Sequence, residues 1–396
     1  MHEAVIVDAV RSPVGRGKVG GALSGLHAVD LLATSLSALL DRVDLDPSLV
    51  DDVLVGCVTQ AGEQAACPGR LAWLAAGLPE SVPAATIDRR CGSSQQAAHF
   101  AAQGVMSGAY DIAVAAGLES MSRVPMGSAR MGQDGHGPTA EARYAPGLVS
   151  QGVAAELMAV KWGLSRAQLD EFSARSHERA GAAADSGYFD GEIIPVRVPG
   201  PGGGTVVTND ETIRRGTTVE RLSSLPSSFR TEEMEKRFPE IGWHVTPGNS
   251  SQLSDASAAM LIMSAEKARE LGLTPRARFH SFAVCGDDPV LMLAGPIRAS
   301  EMVLKRGGLS IGDIDVAEVN EAFASVPLAW QAEFSFSDAK LNPWGGAIAL
   351  GHPLGASGLR IMTTMLSYLE ATGGRYGLQT MCEGGGQANA TVIERL

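Results

Sequence analysis

Charge of one sign is in short supply in this 396-residue chain: 32 Lys and Arg face 44 Asp and Glu, giving a formal net charge of −12. That balance excludes a general polyanion-binding surface, so nucleic acid is not the expected partner, although a local basic patch can still hold one anionic ligand. Long apolar runs are missing too. None approaches the roughly 18 to 20 residues of a membrane span. Met1-His2-Glu3 leads straight into Ala4-Val5-Ile6-Val7 without the layout of a secretory leader. No membrane association and a cytoplasmic location are the expectations. Cysteine is limited to Cys57, Cys67, Cys91, Cys285 and Cys382. This odd, widely spaced set has no Cys-x-x-Cys pair and no histidine cluster at zinc spacing, so free thiols and no structural metal are expected. What is present is 45% hydrophobic residues, with 47 Gly and 20 Pro scattered rather than tracted. That composition fits an ordered, turn-rich enzyme of two or three packed units.

Apolar segments alternate with helical patterns. Strand candidates are Ala4 to Ala9, Asp52 to Gly56, Ala84 to Ile87 and Asp111 to Gly117, separated by helices over about Leu26 to Val43, Pro68 to Ala76 and from Cys91 to about Ser107. The last third repeats the order: a strand over Ala277 to Val284, a helix after Pro296, a strand over Ile314 to Val319, a helix from Ser357 and a strand over Tyr376 to Cys382. The spacing from Gly56 to Cys91 nearly equals that from Asn320 to His352. Two α/β halves of similar topology are therefore predicted. The stretch from about 119 to 248 reads as an inserted cap, with a capping box at Ser165-Arg166-Ala167-Gln168. Pro199 to Gly204 within it is a surface turn, lacking the strand-then-helix setting of a phosphate loop.

Four segments carry chemistry. Cys91 lies in Arg89-Arg90-Cys91-Gly92-Ser93-Ser94, ahead of a helix whose N-terminus would stabilise a thiolate; the bland alternative is a small buried hydrophobe. Asn320-Glu321 ends a hydrophobic strand, where α/β proteins gather their sites, though these residues also cap helices. His352 sits in the glycine-dense turn Asn342 to Gly358, where an imidazole can take a proton from a thiol or donate to an oxyanion. Cys382 ends a strand before Gly384-Gly385-Gly386, whose amides can form an oxyanion hole while the thiol moves a proton. A tight C-terminal turn is the alternative there.

Together, Cys91-Gly92-Ser93-Ser94, Asn320-Glu321-Ala322-Phe323, Gly351-His352-Pro353-Leu354-Gly355-Ala356-Ser357-Gly358 and Cys382-Glu383-Gly384-Gly385-Gly386 resemble the thiolase family, in order and over essentially the whole chain. The resemblance implies a five-layered α/β/α/β/α fold from two duplicated halves with an inserted cap. Its division would be 1–118 and 249–272 for the first half, 119–248 for the cap and 273–396 for the second half. It implies a homodimer or a homotetramer built as a dimer of dimers. No permanently bound cofactor or metal is implied, and coenzyme A would be a co-substrate.

Carried over residue by residue, the resemblance makes Cys91 the acylated nucleophile, His352 its base and Cys382 the acid that protonates the departing acetyl-CoA enolate. Asn320 would hold a water that shares one oxyanion hole with His352, and the amides of Cys91 and Gly384 would form the other. Ser251, Ala322 and Phe323 would lie along the pantetheine. Arg221, Arg230 or Lys236 would meet the coenzyme A phosphates, because Leu225-Pro226-Ser227 lacks the basic residue frequent in relatives. Asp88, Ser94, Gln95 and Trp344 also depart from the commoner pattern. Ser150-Gln151 stands where acetoacetyl-CoA-specific relatives tend to carry His-Met. This favours thiolytic cleavage of a 3-oxoacyl-CoA in fatty-acid or steroid breakdown, with synthesis of acetoacetyl-CoA as the alternative. A ketosynthase-like condensing enzyme and a non-catalytic CoA-binding relative are the readings from other classes; the second cysteine counts against the former.

Overall fold

The computed structural model describes residues 2–396. Twelve strands occur among the described residues: β1 (Ala4–Arg11), β2 (Gly15–Arg16), β3 (Asp52–Gly56), β4 (Ala84–Ile87), β5 (Ile112–Ser120), β6 (Val196–Val198), β7 (Thr205–Val207), β8 (Ser254–Ser264), β9 (Ala277–Gly286), β10 (Val316–Val319), β11 (Tyr376–Glu383) and β12 (Gln387–Arg395). β6 and β7 pair only with each other, around the Pro199 to Gly204 turn. The rest form one sheet in the order β10-β11-β12-β9-β1-β8-β5-β3-β4, with β2 on the end of β8.

That sheet contains one arrangement twice. In the first half β4 and β5 flank β3 in parallel, and β8 then β1 follow antiparallel. In the second, a single bridge from Leu341 and β11 flank β10 in parallel, and β12 then β9 follow antiparallel. The halves join edge to edge at Val5–Arg278 and Ile6–Ala277. So short a junction adds little by itself, and the halves are held by what lies between them.

Between them run the helices Ser93–Ser107 and Ser357–Thr372, packed on each other and on strands of both halves. The first is lined by Ala97, Ala98, Ala101 and Ala102, the second by Leu359, Met362, Met365 and Leu366, all without solvent exposure. Small side chains on one helix let the bulky ones of the other fill the layer at native density. A Cβ on Gly358 would collide with the Gln95 backbone, so the helices cross this closely only because Gly358 has no side chain. Ala28–Val43 covers the outer face of the first half and Gly295–Gly307 that of the second. The result is the five-layered α/β/α/β/α order.

Two strands carry no pattern that marks them in the sequence. β8 is buried at all eleven positions, with sheet neighbours on both sides, so it shows no polar alternation. β12 begins with the polar run Gln387-Ala388-Asn389-Ala390-Thr391, buried from Ala388 onward and flanked by a strand on each side. β1 also runs two residues past its expected end. Its last residue, Arg11, is fully buried, with Nε 2.6 Å from Glu192 and its terminal nitrogens 2.8 and 2.9 Å from Asp210. Burial pulls the guanidinium pKa down, but Asp210 and Glu192 outweigh it and hold it above its ordinary value. No helix among the described residues is long and apolar enough to cross a membrane.

Candidate active site

Cys91 closes the turn that leads into the first central helix. Asp88 Oδ1 accepts from the Arg90 N–H (2.7 Å), and Ser93 Oγ accepts from the Arg89 N–H (2.9 Å) while donating to the Arg90 carbonyl (2.5 Å). Asp88, a departure from the commoner pattern, therefore has a local task. The Cys91 side chain packs against Leu354, Ile361 and Met381. Leu354 lies two residues beyond His352, and Met381 adjoins Cys382, so distant segments converge on one small cluster that contains Cys91.

The expectation of a thiolate stabilised by the helix N-terminus is corrected by this burial. Desolvation, with Cys382 and Glu383 adding to it, pushes the Cys91 thiol well above the usual cysteine range. Cys91 therefore rests protonated and needs a base.

His352 is held in place by its backbone and its ring. Its backbone N–H donates to the Gln252 carbonyl (3.0 Å) and to Ser254 Oγ (3.1 Å), fixing the turn. Its Nδ1 lies 2.7 Å from Ser357 Oγ, and the single hydroxyl proton of Ser357 goes to the Pro353 carbonyl at 2.9 Å. With the hydroxyl proton on that carbonyl, Nδ1 donates to Ser357 Oγ and the lone pair is on Nε2. Nε2 is buried and meets no protein partner. Burial, with the positive Arg360 behind it, pulls the His352 pKa down to about 3, so the ring is neutral at every ordinary pH.

The turn that presents His352 is clamped from below. Glu321 accepts from Ser176 Oγ (2.7 Å), Asn342 Nδ2 (2.9 Å) and the Ile348 N–H (3.1 Å). Glu119 accepts from the Gly355, Val58 and Thr59 amides, at 2.9, 3.1 and 3.0 Å. Gly355 passes so close to the Gly56 and Leu118 carbonyls that no side chain fits.

Cys382 is buried at the end of β11. Burial pushes its thiol up to about 12, partly offset by the Asn320 side chain beside it. The Asn320 amide atoms are themselves buried without an ordinary hydrogen-bond partner. Gly385 and Gly386 take φ of +88° and +73°, which only glycine adopts without strain, and this turn brings Gly384 beside Gln151: a Cβ there would lie 3.1 Å from Gln151 Nε2.

The residues expected along coenzyme A fall in two places. Ser251 donates its N–H to the Ala322 carbonyl (2.9 Å), Ser250 bridges to Phe323, and Phe323 stands edge-on to Phe229 at 6.0 Å. A cleft of about 250 Å³ opens nearby, lined among others by Arg214, Arg215, Arg221, His177, Ser250 and Gln252. Arg230 is not among these residues. It pairs with Glu235 at a separate hollow, and exposed Lys236 pairs with Glu232. Sequence reasoning missed Arg214 and Arg215, for which the adjacent arginine pair was the one available signal. It also missed Gln252, which touches the cleft and, through its carbonyl, the His352 turn.

Residues 4–266 match the family model described as Thiolase, N-terminal domain, and residues 273–395 that described as Thiolase, C-terminal domain. The chain is 48% identical over 406 residues to a Mycobacterium tuberculosis protein named steroid 3-ketoacyl-CoA thiolase FadA6, covering 100% of this chain and 95% of that one. It is 47% identical over 401 residues to a 3-ketoacyl-CoA thiolase of Klebsiella pneumoniae, covering 100% of both. Among solved structures it is similar to the Bacillus anthracis acetyl-CoA acetyltransferase, with a TM-score of 0.89 at 36% identity over 100% of this chain and 99% of that one. With both family models matched along nearly its whole length, the chain belongs to the thiolase family.

Proposed function

We propose that this chain is a degradative acyltransferase that cleaves a 3-oxoacyl-CoA with coenzyme A, giving acetyl-CoA and a shortened acyl-CoA. The observation that carries this reading is the pair of buried thiols, Cys91 and Cys382, close enough for their charges to interact, together with a buried imidazole whose Nε2 has no partner, on the turn whose Leu354 packs against the Cys91 cluster. In the first half-reaction His352 Nε2 takes the Cys91 proton and the sulfur attacks the 3-keto carbon. The Cα–Cβ bond then breaks, its electron pair passes into the acetyl-CoA enolate, and Cys382 protonates the enolate carbon. In the second half-reaction the coenzyme A thiol gives its proton to Cys382 and attacks the acyl-Cys91 thioester; the Cys91 sulfur leaves and recovers its proton from His352.

Two oxygens gain negative charge along this path, the former 3-keto oxygen on the carbon bonded to Cys91 and the thioester oxygen of the departing enolate. His352 with a water on Asn320 would hold one, and the amides of Cys91 and Gly384 the other. Neither amide donates to a protein oxygen among the described residues, which leaves both available. Stabilising this developing charge is the heaviest demand on the site, several kcal/mol.

Coenzyme A would lie under the cap, with its phosphates on Arg214, Arg215 and Arg221 and its pantetheine along Ser251, Ala322 and Phe323. The relatives named as 3-ketoacyl-CoA thiolases are nearer in sequence than the acetyl-CoA acetyltransferase, which favours cleavage over synthesis. The proposal includes a cytoplasmic homodimer or dimer of dimers, and the division into halves 1–118 with 249–272, cap 119–248, and 273–396.

The test is loss of 3-oxoacyl-CoA absorbance on adding coenzyme A, across acetoacetyl, medium-chain and bulky cyclic substrates. Cleavage of the longer or cyclic substrates, abolished in Cys91→Ala and Cys382→Ala, is the expected result. Turnover of acetoacetyl-CoA alone would favour the acetyltransferase instead, and no turnover with any of them would overturn the reading.

A further inference from the structure

One carboxyl group next to the thiols takes no part in the mechanism above. Glu383 follows Cys382 on β11 and has no solvent exposure. Strand alternation puts its side chain on the same face as Met381, which packs against Cys91. The carboxyl reaches the residue after the nucleophile, where a Cβ on Gly92 would collide with Glu383 Oε1. Neither carboxyl oxygen meets a hydrogen-bond donor.

The surroundings offer little to a negative charge. Arg89 and Asp88 are the charged side chains within reach, both from the segment ahead of Cys91. Arg89 does not close an ion pair with the carboxyl: its Nη1 points to Gln387 Oε1 at 3.5 Å, and its Nε is unpartnered. Asn389, on β12, spends its Nδ2 on the Gly92 carbonyl at 3.0 Å. The remaining titratable neighbours are the thiols of Cys91, Cys382 and, on β9, Cys285. A buried carboxyl with no donor and no contacting cation stays neutral until the cost of keeping its proton exceeds the cost of a buried charge.

We propose that Glu383 controls the charge of the two-thiol site: neutral, it permits thiolate formation at Cys91, and ionised, it suppresses it. The inference rests on the reading of Cys91 as the nucleophile. It makes Glu383 a positioning residue, acting through the sulfurs without touching substrate. Burial, with Arg89 opposing and Asp88 adding, pushes Glu383 up to about 8. The sign is consistent from the other side, since the Glu383 charge raises both the Cys91 and the Cys382 thiol. His352, neutral above about 3, adds no titration in that window.

The experiment is the rate of Cys91 alkylation by iodoacetamide, read on the peptide that carries it, from about pH 6.5 to about 9.5. A thiol far below its pKa reacts ten times faster per pH unit. In the unmodified protein the rate should climb with that slope to about pH 8 and then flatten, because each further gain in thiolate is offset by ionisation of Glu383. In Glu383→Gln the climb should continue, so that at about pH 9 the variant reacts about tenfold faster. Glu383→Asp should keep a bend. A straight wild-type profile through pH 8 to 9.5 overturns the proposal. So does a Glu383→Gln profile that is merely displaced in parallel, as a packing defect would give. If Glu383→Gln fails to fold, the wild-type bend alone decides. Because alkylation needs no turnover, a protein that shows the bend but cleaves no 3-oxoacyl-CoA would sink the thiolase reading and leave the coupling standing.

Discussion

In the proposed mechanism Ser357 orients His352 as the base. Its hydroxyl is bonded to Nδ1 on one side and to the Pro353 carbonyl on the other, so the proton on the ring is held away from Nε2. Ser357→Ala should leave the fold and the KM for coenzyme A nearly unchanged and lower kcat by about 10- to 100-fold, since part of the general-base contribution depends on that orientation. Steady-state kinetics at saturating substrate checks this. The pH profile offers a second readout: with His352 near 3, the activity should show no acid limb centred at the ordinary histidine value of about 6.5. At this scale the reactive residues were legible because each stands in a compact block with a glycine or a second polar residue beside it. Ser357 lies in one of those blocks, yet its role arises only when the helix start folds it back onto the imidazole. Glu383 was legible only as a neighbour of Cys382, because its burial is created by β12 and by Gly92, far away in sequence.

The two central helices are the elements on which the site hangs, because Cys91 precedes one and the His352 turn precedes the other. Gln95 ties them to the sheet. Its Nε2 donates to Thr391 Oγ1 (2.7 Å), and Gln379 Nε2 donates both to Gln95 Oε1 (3.2 Å) and to the Gly358 carbonyl (2.7 Å). The helix after Cys91, the Cys382 strand and the helix beyond His352 are thus linked by three side chains. Gln95 was visible in the sequence only as a departure from the commoner pattern, since nothing local reveals its partners on β11 and β12. The close crossing at Gly358 is equally demanding. Gly358→Ala should destabilise the protein by about 1–3 kcal/mol through overpacking, and it should depress activity more than stability by separating the two helix starts. Denaturant unfolding and cleavage rate, measured on the same preparation, check both halves of that statement. Strands bounded by apolar runs were readable from pattern alone. β8 and β12 were not, because interior strands of small and polar residues lose the alternation that sequence reading relies on.

For the molecule as a whole, duplication explains where the site is. The same strand order in each half places an equivalent turn and helix start on either side of the central layer, one bearing Cys91 and the other His352. The near-equal spacings from Gly56 to Cys91 and from Asn320 to His352 are the trace of this in the sequence. The arginine-lined cleft was less legible, since Arg214 and Arg215 come to face it only through folding of a stretch with few regular elements. Convergence of Cys91 from the first half with Cys382 and the turn that bears His352 from the second is the central claim, and one measurement reaches it directly. The protein is mixed with a 3-oxoacyl-CoA in the absence of coenzyme A, quenched in acid and digested, and the peptides carrying Cys91 and Cys382 are weighed. An acyl group on Cys91 alone, absent in His352→Ala, is the result predicted here. Acylation of Cys382 instead, or of Cys91 undiminished without His352, would contradict the account.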